Sequence, residues 1–195
     1  MTTISDKAFA LIVEYEGCPA RPYWPGGASG ITIGIGYDLG YRTLLEYVRD
    51  WGERLPATAK ERLAHVIGKR GDAAQTVLSD VRDINIPKEA AAAVLRANTI
   101  PWAISETRRV FPGVERLPQD AAGALVSLVF NRGGSMSGAS RQEMRAIQKA
   151  VLTGDLREIA AQLRAMKRLW VGRNLDGLLK RRDAEARLVE SCIVS

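Results

Sequence analysis

Gln119–Phe130 reads QDAAGALVSLVF, and beyond its first two positions only Gly123 and Ser127 interrupt a run of Ala, Leu, Val and Phe. At helical spacing such a run has no polar face, so the helix it predicts is buried on most sides. It is well short of the roughly 18–20 residues that cross a bilayer. Its surroundings must therefore be protein, and other helices have to pack around it. Aromatic residues make up only 6% of the chain, which leaves Ala, Leu, Val and Ile to fill the core and favours helices over β-sandwiches. With 195 residues, 46% of them hydrophobic, there is enough chain for one well-buried domain or two small lobes sharing a helix. Collagen, disordered tails and disulfide scaffolds are excluded.

The remaining periodicity is mostly helical. Ser5–Glu16 reads as an amphipathic helix with Ser5 as N-cap and Phe9, Ile12 and Val13 at i, i+3, i+4 spacing, ended by Gly17 and Pro19. Further helices are expected near 44–55, 57–69, 72–81, 87–108, 140–153, 155–167 and 176–191, punctuated by Pro56, Gly71, Pro87 and Gly154. One segment breaks the pattern. Ala20–Asp38 is rich in Gly and contains the alternating, β-branched run Ile31-Thr32-Ile33-Gly34-Ile35-Gly36-Tyr37, and it predicts a hairpin sheet of two or three strands in which that run is one strand. The fold expected is α+β, mostly α, and a single domain over 1–195. It divides into a small β-containing lobe near 17–55 and a larger helical lobe made of the N-terminal helix and 56–195.

The net charge is +6, and the excess is concentrated at the C-terminal end, where residues 141–195 carry 12 Lys and Arg against 7 Asp and Glu. A basic lobe suits a polyanionic partner: nucleic acid, an acidic membrane surface or an anionic cell wall. No zinc-finger, basic-zipper or RNP pattern supports nucleic acid. Cys18 and Cys192 have no metal-ligand spacing, so no metal site is expected, and free thiols are expected over a bridge. His65, the single histidine, reads as a helix-surface residue, which rules out Ser-His-Asp and Cys-His machinery. Without a basic n-region, a small-residue cleavage site or an apolar run of bilayer length, a protein made without a Sec leader is expected.

Glu16 lies four residues from Ile12 and three from Val13, on the apolar stripe of its helix. A carboxyl among apolar neighbours is poorly hydrated when charged and can deliver a proton near neutrality, as a general acid must; the same placement also suits a buried ion pair. Downstream, strand alternation places Thr32, Gly34, Gly36 and Asp38 on one face. The glycines would let a polymer approach between a hydroxyl and a carboxylate. Two carboxyl groups facing across a cleft are the equipment of glycoside hydrolysis. Asp38 also has a second reading, as a cap for the turn at Gly40. The GxG spacing lacks the remainder of a dinucleotide fingerprint.

Glu16-Gly17, Tyr23 and Ile31–Tyr37 resemble the N-terminal signature of phage-type lysozymes. Ala124–Gly133 is similar to the buried central helix and loop of those endolysins, and Gly177–Glu185 to their C-terminal helix. The resemblance implies a lysozyme-like fold with Glu16, Thr32 and Asp38 as catalytic residues and Tyr23, Tyr37, Asn131 and Arg132 as substrate-binding residues. Phage lysozymes usually carry the catalytic Asp between the Glu and the Thr. Pro25 stands near that place here, and no Asp or Glu occurs from Gly17 to Tyr37. The order Glu16…Thr32…Asp38 is instead similar to that of pesticin, a bacterial toxin with a lysozyme-like domain.

What the resemblance implies is a muramidase that cleaves the β-1,4 bond between N-acetylmuramic acid and N-acetylglucosamine of bacterial peptidoglycan. It would act as a monomer, without metal or organic cofactor, with weak attraction to the anionic envelope. Without a leader it would accumulate in the host cytoplasm and reach the periplasmic wall after holin-dependent release; a leaderless exported toxin is the alternative. Two other activities are compatible with the missing early Asp. One is a lytic transglycosylase using Glu16 alone, and the other a non-catalytic peptidoglycan-binding module.

Overall fold

The computed structural model describes residues 3–193. In chain order it contains α1 (Asp6–Glu16), β1 (Thr32–Ile33), β2 (Tyr37–Asp38), α2 (Leu44–Trp51), α3 (Ala57–Ala64), α4 (Asp72–Val77), α5 (Lys88–Val94), α6 (Ile100–Val110), α7 (Gln119–Arg132), α8 (Gln142–Thr153), α9 (Leu156–Ala165) and α10 (Asp176–Glu190). These elements form two units, one comprising the chain up to Tyr15 together with everything from Ile100 onward, the other Glu16–Thr99.

The first unit is organised around α7. Every residue from Ala121 to Val129 is buried, as the apolar run requires. Phe111, Met144, Ile147, Ile159, Leu163, Met166 and Val189 complete the core around Leu125 and Leu128. Gly123 is where α1 comes closest, because a Cβ there would run into the Ala8 side chain. Ser127 is the one buried polar side chain on α7, and α10 supplies its partners. Its hydroxyl donates to Glu185 Oε1 (2.6 Å), the same oxygen that accepts from Arg182 Nη2 (2.8 Å) and Arg181 Nε (3.3 Å). Arg181 Nη2 also donates to the Ser127 carbonyl (3.2 Å). Arg181, Arg182 and Glu185 are at most 2% exposed, so these charges are buried together against α7.

The second unit is built on a short hairpin. Thr32 pairs with Asp38 and Ile33 with Tyr37, leaving Gly34-Ile35-Gly36 as a three-residue turn. Gly34 and Gly36 have φ of 53° and 68°, which glycine tolerates and L side chains resist. The single alternating strand expected over 31–38 is therefore corrected to two strands and a turn. Thr32 and Asp38 still share a face, but because they sit opposite each other across the ladder rather than six residues apart along one strand. Ile31, Ile33, Leu39, Tyr47, Trp51, Leu63 and Ile86 form the core beneath. Strands of two residues cannot close that core alone, so helices α2–α5 belong to the same unit. The β-containing part thus runs to Thr99 rather than to about residue 55.

The stretch expected over 87–108 is helical throughout, with α5 to Val94, a π-helical turn at Leu95–Thr99 and α6 from Ile100; the π turn comes just before Pro101, whose ring and missing N–H a regular α-helical interior would not accommodate. Cys18 and Cys192 are free thiols, and His65 is exposed at the C-cap of α3. Among the described residues no helix is long and apolar enough to cross a membrane.

Replacing Glu185 by Gln should remove the carboxylate that serves two buried guanidiniums, while preserving shape. The expected loss is about 3–5 kcal/mol. Urea unfolding of the two proteins followed by circular dichroism measures it, and a midpoint unchanged from wild type would contradict the assignment.

Candidate active site

Tyr23, Thr32 and Asp38 line up across three neighbouring segments. Tyr23 and Thr32 exchange backbone bonds, Tyr23 N to Thr32 O at 3.0 Å and Thr32 N to Tyr23 O at 2.8 Å, and Thr32 is in turn opposite Asp38 in the hairpin. Directly opposed residues project their side chains from the same face. Tyr23 and Asp38 are half-buried at the two ends of this row, and Thr32 is buried between them. Burial pushes the Tyr23 phenol above its ordinary range, and the negative charge of Asp38 adds to the effect.

The Asp38 carboxylate is bonded to backbone on both sides. It accepts from Gly30 N through both oxygens (3.0 and 3.1 Å) and from Gly40 N (2.8 Å), capping the 3-10 turn Leu39–Tyr41. The two glycines touch in the space this creates. A Cβ on Gly40 would come within 2.7 Å of Gly30 Cα, so only glycine fits there. The loop on the Gly30 side is held further by Gly71 N donating to Ser29 O (3.0 Å) and Trp24 Nε1 donating to the same carbonyl (3.0 Å). The capping reading of Asp38 is thus realised in the structure. It gives the row a rigid carboxylate whose position is fixed by amides rather than by side chains.

Glu16 terminates α1, just before Gly17 at φ 71°. It is exposed, which corrects the expectation that its stripe is buried. The packed residues of α1 are Ala8, Phe9, Leu11 and Ile12, Val13 is already half-buried, and the last turn extends beyond them. Any proton donation by Glu16 therefore owes nothing to burial among Phe9, Ile12 and Val13.

Tyr37 departs from its expected role at the substrate. It is 4% exposed and faces the core, with its ring edge-on to Trp51 at 5.7 Å between centroids and its hydroxyl donating to Asp50 (2.9 Å). The pairing register explains this, since the residue opposite Ile33 must point to the side opposite Asp38. Asp50 is itself buried, which would raise its carboxyl, but bonds from Arg49 and Tyr37 outweigh burial and hold it below the usual range. In the first unit, Asn131 Oδ1 accepts from Arg182 (3.3 Å), and Arg132 lies over the Trp170 ring at 4.8 Å while donating to Ser140 O (2.9 Å). Sequence reasoning named these two residues without the network that orders them. Ser127 in the apolar run was its only visible trace.

The phage lysozyme family model matches residues 13–185, and the chain belongs to that family. Lysozyme-type, peptidoglycan-degrading chemistry is what this membership supports. Among solved structures, the active form of the P1 phage endolysin Lyz is similar at 22% identity and a TM-score of 0.58, covering 100% of this chain and 88% of that one. A point mutant of P22 lysozyme matches at 21% identity and 0.58, covering 97% and 99%. The muramidase domain of SpmX from Asticaccaulis excentricus matches at 19% and 0.54, covering 97% and 98%. At these identities the likeness establishes the lysozyme-like fold. Among curated proteins, none matches.

Tyr37→Phe separates a core role from a role at the substrate. Deleting the hydroxyl leaves the buried Asp50 with one donor fewer, which should cost about 1–3 kcal/mol at neutral pH, with activity per folded molecule unchanged. Because Asp50 is held below its ordinary range in the folded protein, its stabilisation is full above about pH 4 and is lost as the pH falls further. The difference in stability between variant and wild type should therefore shrink in acid. A large loss of turnover without loss of stability would return Tyr37 to the substrate side.

Proposed function

We propose that the chain is a muramidase that hydrolyses the β-1,4 bond between N-acetylmuramic acid and N-acetylglucosamine of peptidoglycan, and that it serves as a phage or prophage endolysin. Glu16 protonates the departing glycosidic oxygen. Asp38 supplies the fixed negative charge that steadies the oxocarbenium-like sugar, with Thr32 beside it to orient water. The observation that carries this reading is the Tyr23–Thr32–Asp38 row, whose carboxylate is immobilised by the Gly30 and Gly40 amides. A preorganised charge needs no rearrangement as positive charge develops on the sugar, which is where electrostatic catalysis gains most. Tyr23, at the end of the row, is the candidate for stacking against a sugar ring. The protein acts as a monomer without metal or organic cofactor, accumulating in the host cytoplasm until holin-dependent release.

One observation favours a second reading. Both Asp38 oxygens already serve the backbone, as a purely structural cap would require. A lytic transglycosylase working with Glu16 alone is consistent with that. The products separate the two, since hydrolysis leaves a reducing muramic acid end and transglycosylation an anhydro ring.

Glu16→Gln should abolish the release of soluble fragments from purified sacculi while leaving the melting temperature within a degree or two, about what an exposed shape-conserving change allows. Asp38→Asn should lower turnover by about two orders of magnitude or more and leave binding to sacculi intact. A folded, fully active Asp38→Asn protein, together with anhydro-muramic products from wild type in mass analysis, would replace hydrolysis by the transglycosylase reading. Glu16→Gln activity within about tenfold of wild type would overturn both.

A further inference from the structure

The loop between α7 and α8 is held by arginines. Arg132 Nη2 donates to Ser140 O (2.9 Å), Arg141 Nη2 to Arg132 O (2.7 Å), Arg145 Nη1 to Met136 O (2.8 Å) and Gly138 O (3.0 Å), and Arg168 Nη2 to Ala139 O (3.1 Å). Four carbonyls of the Gly/Ser loop and the last carbonyl of α7 are thus clasped by four guanidiniums. Neutral amide side chains can also donate to carbonyls. Arginines bring charge that a carbonyl does not neutralise.

Few acids balance them. Arg168 pairs with Glu143, and the neighbouring Arg109 pairs with Glu106, whose carboxylate lies against Gly134. Arg132, Arg141 and Arg145 donate to carbonyls, to the Met144 sulfur or across the Trp170 ring, with no carboxylate among these partners. Burial first, and then the charges of Arg141 and Arg182, push the Arg132 guanidinium down to about 10, against the opposing charges of Glu143 and Glu185. Ser135, Ser137 and Ser140 are exposed along the same loop, adding hydroxyls beside the cations. An anion arriving here would meet guanidinium edges whose geometry suits a carboxylate.

We propose that the loop 133–140, with Arg132, Arg141 and Arg145, is a carboxylate-recognition subsite that takes the free carboxylates of the peptide stems of peptidoglycan. This rests on the muramidase reading, and it locates in one loop an attraction that net charge alone would spread over the whole C-terminal part of the chain. It also makes the subsite selective for the peptide-bearing polymer, because an uncharged glycan offers nothing for the loop to bind.

The test is co-sedimentation with purified sacculi in the Glu16→Gln background, so that the polymer persists. Sacculi are used as isolated and after carbodiimide coupling to ammonia, which converts their free carboxylates to amides. Arg141→Gln with Arg145→Gln removes both charges and leaves a neutral polar side chain at each position. It should weaken binding to native sacculi about tenfold, whereas Arg157→Gln, an exposed cation on α9, should leave it within about twofold. Amidated sacculi should bind all these proteins alike, and the Arg141→Lys with Arg145→Lys pair should recover most of the native binding. Should the double Gln variant fail to fold by circular dichroism, Arg145→Gln alone takes its place with an expected loss of about threefold. Equal binding of the Gln variant and the Arg157→Gln protein to native sacculi, or no difference between native and amidated sacculi for the parent, overturns the subsite. Failure of the muramidase reading registers separately, as no fragment release by the wild-type protein.

Discussion

Burying α7 on all sides forces the only polar side chain in its middle to find partners inside the protein. Ser127 has no route to water, so its hydroxyl and carbonyl draw in Arg181, and Arg181 with Arg182 requires Glu185. These three lie within five residues of α10, so the network also fixes the rotation of α10 against α7: the helix cannot turn without exposing charge to the core or pulling a donor from Ser127. Asn131 extends the same set of bonds to the C-terminal end of α7, where the arginine-clasped loop begins. The order of that loop is therefore inherited from the core.

In the Glu16–Thr99 unit a different economy operates. Two strands of two residues give little cooperativity, and the geometry is carried by a carboxylate that accepts from backbone on either side of the hairpin. Asp38 holds Gly30 and Gly40 together, and Thr43 with Glu46 then starts α2 through a capping box. Tyr37 and Trp51 occupy the other face, with Asp50 paid back for its burial by Arg49 and Tyr37. One face of the hairpin is polar and preorganised, and the other anchors it to the helices.

The sequence made the large features legible because they rest on long-period signals. An apolar run without a polar face can only be a buried helix, and a Gly-spaced β-branched segment in a helical chain can only be the hairpin. What escaped was decided by single residues of local geometry. Period-2 alternation could not reveal that Gly34-Ile35-Gly36 turn back, so Tyr37 was assigned to the substrate side when pairing sends it to the core. Helical periodicity placed Glu16 on the apolar stripe, but periodicity carries no information about where packing along a helix stops. Of the arginines around the α7–α8 loop, Arg141, Arg145 and Arg168 were visible only as net charge, since their acceptors there are main-chain carbonyls that no side-chain pattern encodes. The capping reading of Asp38 was legible because the residue stands directly before the turn at Gly40.

The four tryptophans are divided between the two units, with Trp24 and Trp51 in one and Trp102 and Trp170 in the other. Trp51 is wholly enclosed, whereas Trp102 is 55% exposed. Fluorescence from Trp51 therefore reports loss of the hairpin-bearing unit by a red shift on unfolding, while Trp102 starts near its solvent-exposed emission and changes little. Trp170, half-buried with Arg132 over its ring, reports the helical unit. The chain carries its own optical labels for asking whether its halves melt as one cooperative body or in sequence.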